Sequence, residues 1–255
     1  MPELGLLQVR SLRRSFYGVL ALDRMELDVQ AGTITALIGP NGAGKTTLFA
    51  CLSGVVRPGG GEVVFAGEAI TGWAPDRITR AGLTRTFQVA RGISRLSVLE
   101  NLLLYAPGLP GNRMWPALVG GRAEARAALA RAWEVAARLN LVGVANTPAG
   151  ALSGGQKKLL EIGRALMAEP RMVLLDEPIA GVNPALAEEI AEHLRALRDQ
   201  GMTFLVIEHH MDLIARLCDP VICMAEGRRL VEGSFAEVAN DAQVQAAYMG
   251  RRRWA

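Results

Sequence analysis

The stretch Gly39-Pro40-Asn41-Gly42-Ala43-Gly44-Lys45-Thr46-Thr47 decides the fold, because it directly follows the apolar run Ile34-Thr35-Ala36-Leu37-Ile38. It fits G-x-x-x-x-G-K-[ST], the P-loop that joins a strand to a helix. The glycines let the backbone turn its N–H groups inward around a polyphosphate. Lys45 adds a positive charge for the β- and γ-phosphates, the Thr46 hydroxyl can hold Mg²⁺, and Thr47 opens a helix whose N-terminus favours anions. The alternative is a Gly-rich turn that binds nothing, but four constrained positions in this context favour a nucleoside triphosphate site.

Composition excludes several classes of protein. Half of the 255 residues are apolar, which is enough for a sizeable core, and the net charge is only +3. Aromatic residues make up 5% of the chain and no Lys/Arg stripe is interleaved with them, so no nucleic-acid partner is predicted. Three cysteines without CxxC spacing indicate buried thiols in a reducing compartment. Without a signal peptide or an apolar run of about 18 residues, the sequence predicts a cytosolic protein with no membrane span.

Apolar runs alternate with helical periodicity along the chain, which predicts a parallel α/β core. Residues 6–30 favour an opening antiparallel hairpin. The predicted strands are 34–38, 62–65, 172–175 and 203–207, with a terminal hairpin over 221–231, and the predicted helices are 45–54, 122–140, 153–167 and 184–198. One domain is therefore expected, with a core of about 1–91 and 169–255 interrupted by a helical subdomain of about 92–168.

Three later motifs place further chemistry at strand and helix ends. Leu152-Ser153-Gly154-Gly155-Gln156 offers a hydroxyl and two glycines at a helix N-terminus, a second anion site. The apolar strand Met172–Leu175 ends in Asp176, suited to Mg²⁺ through water, and Glu177, suited to polarising an attacking water. His209 ends another strand with an imidazole that can reach a γ-phosphate. Each alone could be a helix cap, a solvated strand end or a satisfied histidine, but their joint occurrence in this order excludes coincidence.

Over essentially its whole length the sequence resembles the nucleotide-binding subunits of ABC transporters. The resemblance implies a P-loop NTPase (ABC ATPase) fold of class α/β, with a mixed or parallel core sheet, an antiparallel β subdomain and an inserted helical subdomain. It also implies site residues: Walker A at Gly39–Thr47, the Q-loop at Gln88, the signature at Ser153–Gln156, Walker B at Asp176 and Glu177, the D-loop at Ala180–Asn183, the switch at His209, and an adenine-stacking ring at Phe16 with Tyr17 as a rival. Thr46, Gln88 and Asp176 are the implied Mg²⁺ ligands, and Asn183 departs from the usual aspartate.

More narrowly, several segments resemble the LivG-type branch of importers for branched-chain amino acids. They are RTFQ, SVLENLL, LEIGRALM, DEPIAGVNP, VIEHHMDLI and AAYMG. His210 departs from this branch by replacing an aspartate. Motors for urea, amides or lipopolysaccharide share most motifs and stay open as alternatives. A soluble ABC ATPase of DNA repair, translation or iron–sulfur assembly is a further alternative, although the long heptads and the second cassette of the first two types are missing.

The resemblance also implies ATP, Mg²⁺ and a set of partners. Two ATPase subunits, identical or homologous, pack head to tail so that Ser153 of one faces the γ-phosphate held by Lys45 of the other. Two transmembrane permease subunits bind this pair, and a periplasmic or extracellular substrate-binding protein acts indirectly. The implied location is cytoplasmic, on the inner face of the cell membrane.

Overall fold

The computed structural model describes residues 5–86, 94–107 and 121–249, which form two compact units. The first unit contains the described residues of Met1–Arg85, Arg171–Ala180 and Leu194–Ala255. The second contains those of Thr86–Pro170 and Gly181–His193. The core and helical subdomain boundaries expected from the sequence remain a prediction.

The first unit holds a four-stranded antiparallel sheet that includes the predicted opening hairpin. Its strands are β1 (Leu7–Phe16), β2 (Val19–Val29), β4 (Gly60–Phe65) and β5 (Glu68–Ala69), in the order β2-β1-β4-β5. Tyr17 and Gly18 both have positive φ at the turn of the hairpin, as the tight turns that match strand twist require. This sheet is the predicted antiparallel β subdomain.

The same unit holds a six-stranded sheet that carries the P-loop. Its strands are β3 (Ile34–Ile38), β6 (Leu83–Arg85), β7 (Met172–Asp176), β8 (Thr203–Ile207), β9 (Val221–Ala225) and β10 (Arg228–Gly233), in the order β10-β9-β3-β8-β7-β6. All neighbours pair in parallel except β9 and β10. Every residue of β3, β8 and β9 is buried, as expected for parallel strands covered on both faces. The mixed α/β core predicted from the sequence is therefore confirmed.

Helices follow the strands in the pattern that the sequence indicates. They are α1 (Lys45–Leu52), α2 (Pro75–Arg80), α3 (Val98–Leu103), α4 (Gly121–Arg138), α5 (Gly154–Met167), α6 (Pro184–Asp199), α7 (Met211–Leu217), α8 (Phe235–Asn240) and α9 (Ala242–Met249). Within the described part of the chain, no helix has the length and apolar character needed to cross a membrane.

The boundaries of α1 agree with the predicted helix over 45–54 at the start but not at the end. Because Gly44 adopts a left-handed conformation with φ 103° and ends the loop there, the helix begins at Lys45 as predicted. It ends at Leu52 rather than at residue 54, where the Ser53 hydroxyl donates to the Phe49 carbonyl at 2.8 Å. Lys45 and Thr46 therefore lie in the first turn of the helix, where backbone N–H groups have no partner within the helix.

In the second unit, α3 packs against α4 and α5, and a buried polar contact joins it to α5. The Arg164 guanidinium of α5 is only 3% exposed and donates to the side-chain oxygen of Asn101 on α3. Asn101 in turn donates to the carbonyls of Leu96 and Ser97 at 3.0 and 2.9 Å. This contact fixes the position of α5, the helix that begins at the predicted signature.

Candidate nucleotide site

The predicted P-loop lies so close to its neighbours that two positions accept only glycine. Gly39 has φ +145° and Gly44 has φ +103°, both outside the range that other residues favour. A Cβ at Gly39 would lie 2.0 Å from the Met224 carbonyl oxygen, and one at Gly44 would lie 2.4 Å from the Ala21 carbonyl oxygen. The glycines therefore let the loop approach backbone on both sides, as well as turn its N–H groups inward.

Two sets of hydrogen bonds shape the loop. The Gly227 N–H, in the turn between β9 and β10, donates to the Ala43 carbonyl at 2.9 Å. The Lys45 ammonium is 7% exposed and donates to the carbonyls of Gly39 at 2.6 Å and Pro40 at 3.1 Å. The positive charge is therefore held inside the loop, where a phosphate would bind it.

An open cavity of about 330 Å³ lies over the loop. Asn41–Thr47 line one side of it, and Glu177 and His209 line another. The structure thus brings together the Walker A residues and both predicted catalytic side chains. Strand order explains this, because β3, β8 and β7 are neighbours and the loops at their carboxyl ends meet at one edge of the sheet.

Glu177 and His209 contact each other at this edge. The Glu177 Oε1 lies 3.1 Å from the His209 Nε2, and both side chains are about half exposed. Glu177 has φ +50°, an uncommon value for a residue other than glycine, and its N–H donates to the Ile207 carbonyl at 2.9 Å. Backbone strain of this kind clusters at functional sites, where it fixes the direction of a side chain.

Asp176, the other carboxylate of the predicted Walker B pair, is held by an arginine that the sequence did not single out. The Arg85 guanidinium at the end of β6 donates to the Asp176 Oδ2 at 2.9 Å, and both side chains are partly buried. The two residues come together because β6 pairs with β7. The sequence alone does not say that these two strands are neighbours.

The residues present suit a magnesium ion. Thr46 supplies a hydroxyl and Asp176 a carboxylate, and Mg²⁺ is usually held by one or two such oxygens together with phosphates and waters. A site made of protein ligands alone is not expected, and the described residues contain no cluster of three or more His, Cys, Asp or Glu side chains that could hold a metal. Gln88, the third ligand implied by the resemblance, lies outside the described residues.

The predicted signature begins a helix of the second unit. Ser153 is the N-cap of α5, where its Oγ accepts from the Gln156 N–H at 3.2 Å and its N–H donates to the Gln156 side chain at 3.0 Å. Ser153 and Gly154 are exposed, whereas Gly155 is buried against Leu186. The hydroxyl therefore caps its own helix, and the predicted role towards a γ-phosphate stays a prediction.

A residue near the end of the described chain also contacts the P-loop. Partial burial raises the pKa of the Tyr248 phenol on α9 to about 12 although 38% of the residue is exposed, and the nearby backbone of Gly39 opposes that rise. Ala246 and Ala247 of the same helix line a second cavity together with Pro40–Ala43. In the sequence this helix carries the segment AAYMG, for which no contact with the P-loop was predicted.

The two candidate adenine-stacking rings differ in their surroundings. The Phe16 ring is 36% exposed and lies under the Arg14 guanidinium, 4.5 Å from its central carbon. Tyr17 is fully exposed at the hairpin turn. Val19, Leu20 and Ala21 of β2 line the cavity beside the P-loop, an apolar wall that sequence reasoning missed.

We expect Phe16→Ala to weaken ATP binding more than Tyr17→Ala. Stacking of a base on an aromatic ring contributes about 1–3 kcal/mol, so the dissociation constant should rise about 5- to 150-fold. Titration with a fluorescent ATP analogue measures it, and Tyr17→Ala serves as the neighbouring control. A larger loss of ATP affinity in Tyr17→Ala would identify Tyr17, and not Phe16, as the stacking ring.

The comparisons with known proteins agree with this geometry. The family described as ABC transporter matches residues 22–180. A probable branched-chain amino acid transport ATP-binding protein LivG of Archaeoglobus fulgidus is 39% identical over 96% of this chain and 95% of that protein. The high-affinity branched-chain amino acid transport ATP-binding protein BraF of Pseudomonas aeruginosa is 36% identical over 96% of this chain and 98% of its own length.

A solved structure has the same fold as this chain. The ADP conformation of an ATP-binding cassette of an ABC transporter superposes with a TM-score of 0.86 at 36% identity, covering 97% of this chain and 99% of that one. This chain thus shares its fold with a nucleotide-bound cassette. The same fold carries the P-loop, the Glu177–His209 pair and the capped signature helix. This chain belongs to the ABC transporter family, as one of its ATP-binding ATPase subunits.

Proposed function

We propose that the chain is the ATP-hydrolysing motor subunit of an importer for branched-chain amino acids. Relatives that match nearly the whole chain are named as ATP-binding proteins of branched-chain amino acid transport. The observation that carries the catalytic part is the contact of 3.1 Å between Glu177 and His209 at the cavity over the P-loop.

ATP binding begins at the P-loop. The Lys45 ammonium, which donates to the carbonyls of Gly39 and Pro40, turns to the β- and γ-phosphates when nucleotide enters. Loop N–H groups and the first turn of α1 complete the phosphate cradle. Phe16, or its neighbour Tyr17, stacks on the adenine. Thr46, Asp176 and Gln88 would hold Mg²⁺, which neutralises charge between the β- and γ-phosphates when bound.

Hydrolysis depends on Glu177 and His209. The Glu177 carboxylate orients a water for attack on the γ-phosphorus and accepts its proton, as a general base does. The His209 imidazole contacts that carboxylate through Nε2 and reaches towards the γ-phosphate on its other side. The pair thus links the attacking water to the group it attacks.

A second subunit completes the site. The signature residues Ser153, Gly154, Gly155 and Gln156 face the γ-phosphate bound to Lys45 of the partner subunit, so ATP joins the two chains head to tail. Two membrane permease subunits receive the resulting motion, and a substrate-binding protein outside the cell delivers the amino acid to them. The chain then works in the cytoplasm, on the inner face of the cell membrane.

Reconstitution tests this function. The chain is purified together with the permease and substrate-binding proteins that it captures from its own cells, and ATP-driven uptake of radiolabelled leucine into proteoliposomes is measured. We expect uptake of the labelled leucine, and we expect unlabelled leucine, isoleucine and valine to suppress it by competition. The variant Lys45→Ala, which lacks the phosphate-binding charge, should show no uptake. Uptake that urea or an amide suppresses, while leucine does not, would reassign the substrate; no permease partner at all would contradict the importer.

A further inference from the structure

Glu208 is a buried carboxylate to which the mechanism above gives no part. The residue is only 2% exposed, although a carboxylate is unfavourable in the interior unless hydrogen bonds compensate its lost hydration. Its oxygens accept from three groups: the Ile179 N–H at 3.1 Å, the His209 N–H at 3.0 Å and the His210 ring at 3.2 Å. Two of these donors belong to the backbone of loops that carry reacting groups.

These bonds continue the sheet beyond its last backbone pair. Strands β7 and β8 pair up to Asp176 and Ile207, and the Glu177 N–H then donates to the Ile207 carbonyl. Past that point the Glu208 side chain joins the two loops. One oxygen holds Ile179, two residues after Glu177, and the other holds the backbone of His209.

We propose that Glu208 is a positioning residue that keeps the Glu177 and His209 side chains in contact. The inference rests on the proposed hydrolysis at Glu177. The separation of 3.1 Å between Glu177 and His209 requires both loops to keep a fixed spacing, and the buried carboxylate supplies the shared anchor. Bonds from N–H groups to an ionised carboxylate are stronger than those to a neutral acceptor, which explains why the site uses an acid.

Glu208→Gln tests the proposal with a side chain of the same shape. The amide offers one oxygen in place of two and turns an NH₂ donor towards one of the two backbone N–H groups, so one loop loses its anchor. We expect kcat to fall about 10- to 100-fold, because small misplacements of reacting groups cost up to that much. The dissociation constant of ATP should stay at the wild-type value, since the P-loop is untouched. Asp212→Asn, an exposed acid on α7, is the matched control and should change neither quantity.

A spectroscopic readout separates positioning from general damage to the fold. The chain contains three histidines, so ¹⁵N-labelled imidazole signals can be assigned by substitution. Without nucleotide, Glu177→Gln should shift the His209 Nε2 signal, and Glu208→Gln should shift it in the same direction while His193 stays unchanged. Wild-type hydrogen exchange adds a test without any variant, because the amides of Ile179 and His209 should be protected although they lie in loops.

The outcomes decide between the possibilities. A lower kcat with a shifted His209 signal and protected amides supports the anchor. An unchanged His209 signal in Glu208→Gln, or rapid exchange of both amides in the wild type, overturns it even if kcat falls. A wild-type protein that hydrolyses no ATP would defeat the proposed function instead, while the ring signals and exchange rates would still decide whether Glu208 holds the two loops.

Discussion

Glu177→Gln is expected to abolish ATP turnover while leaving the dissociation constant of ATP at its wild-type value. In the proposed mechanism, binding uses Lys45 and the loop N–H groups, whereas the Glu177 carboxylate acts on the attacking water. A positioned general base typically contributes about 10²–10⁴-fold, so the rate should fall by at least that factor. Glutamine keeps the shape and can still contact His209, but it cannot accept the proton.

Phosphate release and nucleotide titration on the same preparation measure the two quantities. Glu169→Gln is a matched control, because Glu169 is a second glutamate with φ +50° and the same isosteric change there tests for damage to a strained turn. Near wild-type hydrolysis in Glu177→Gln would remove this carboxylate from the role of base and leave His209 as the candidate.

The fold was predictable where local chemistry determines it. The buried strand Ile34–Ile38 followed by a loop with three glycines allows one local arrangement, and the structure has it. The capping boxes at Ser153 and Ser234 are local in the same way, because serine followed three residues later by glutamine or glutamate satisfies two helix-end donors reciprocally.

Contacts between distant segments were not predictable from periodicity. That β8 lies between β3 and β7 decides which strand-end side chains meet, and this order depends on the packing of the whole sheet. The Arg85–Asp176 pair and the Glu208 anchor follow from it, which is why neither was found in the sequence. The direct Glu177–His209 contact was not predicted either, although both side chains were assigned to the surroundings of the γ-phosphate.

Packing also determines where α1 begins and ends. The left-handed Gly44 lies against the Ala21 carbonyl of another strand and ends the loop, so the helix starts at Lys45 as predicted. The end of the helix was predicted two residues too late, because the bond from the Ser53 hydroxyl to the Phe49 carbonyl leaves no periodic signal along the chain.

Ser153→Arg is expected to separate a subunit that works alone from one that works in a head-to-tail dimer. If the Ser153 hydroxyl only caps α5, its loss costs about 1 kcal/mol of stability and leaves hydrolysis nearly unchanged. If it also faces the γ-phosphate bound to the partner subunit, loss of one such donor lowers the rate by about 10²–10³-fold. The bulky arginine should in addition keep the two chains from closing, while ATP affinity survives because Lys45 is untouched.

Ser234→Arg provides the matched control for this experiment, because Ser234 is also an exposed N-cap in a capping box and gains the same charge. The measurement is ATPase rate per subunit against protein concentration, with ATP affinity and thermal stability for each protein. Wild type and Ser234→Arg should gain specific activity as concentration rises, because closure is bimolecular, and Ser153→Arg should stay flat at a low rate. Specific activity that is independent of concentration in the wild type, together with an active Ser153→Arg, would exclude the shared site. The Ser153 hydroxyl caps its own helix, and Ser234→Arg reproduces the loss of such a cap. A low rate that appears only in Ser153→Arg would therefore come from the lost contact with the second chain.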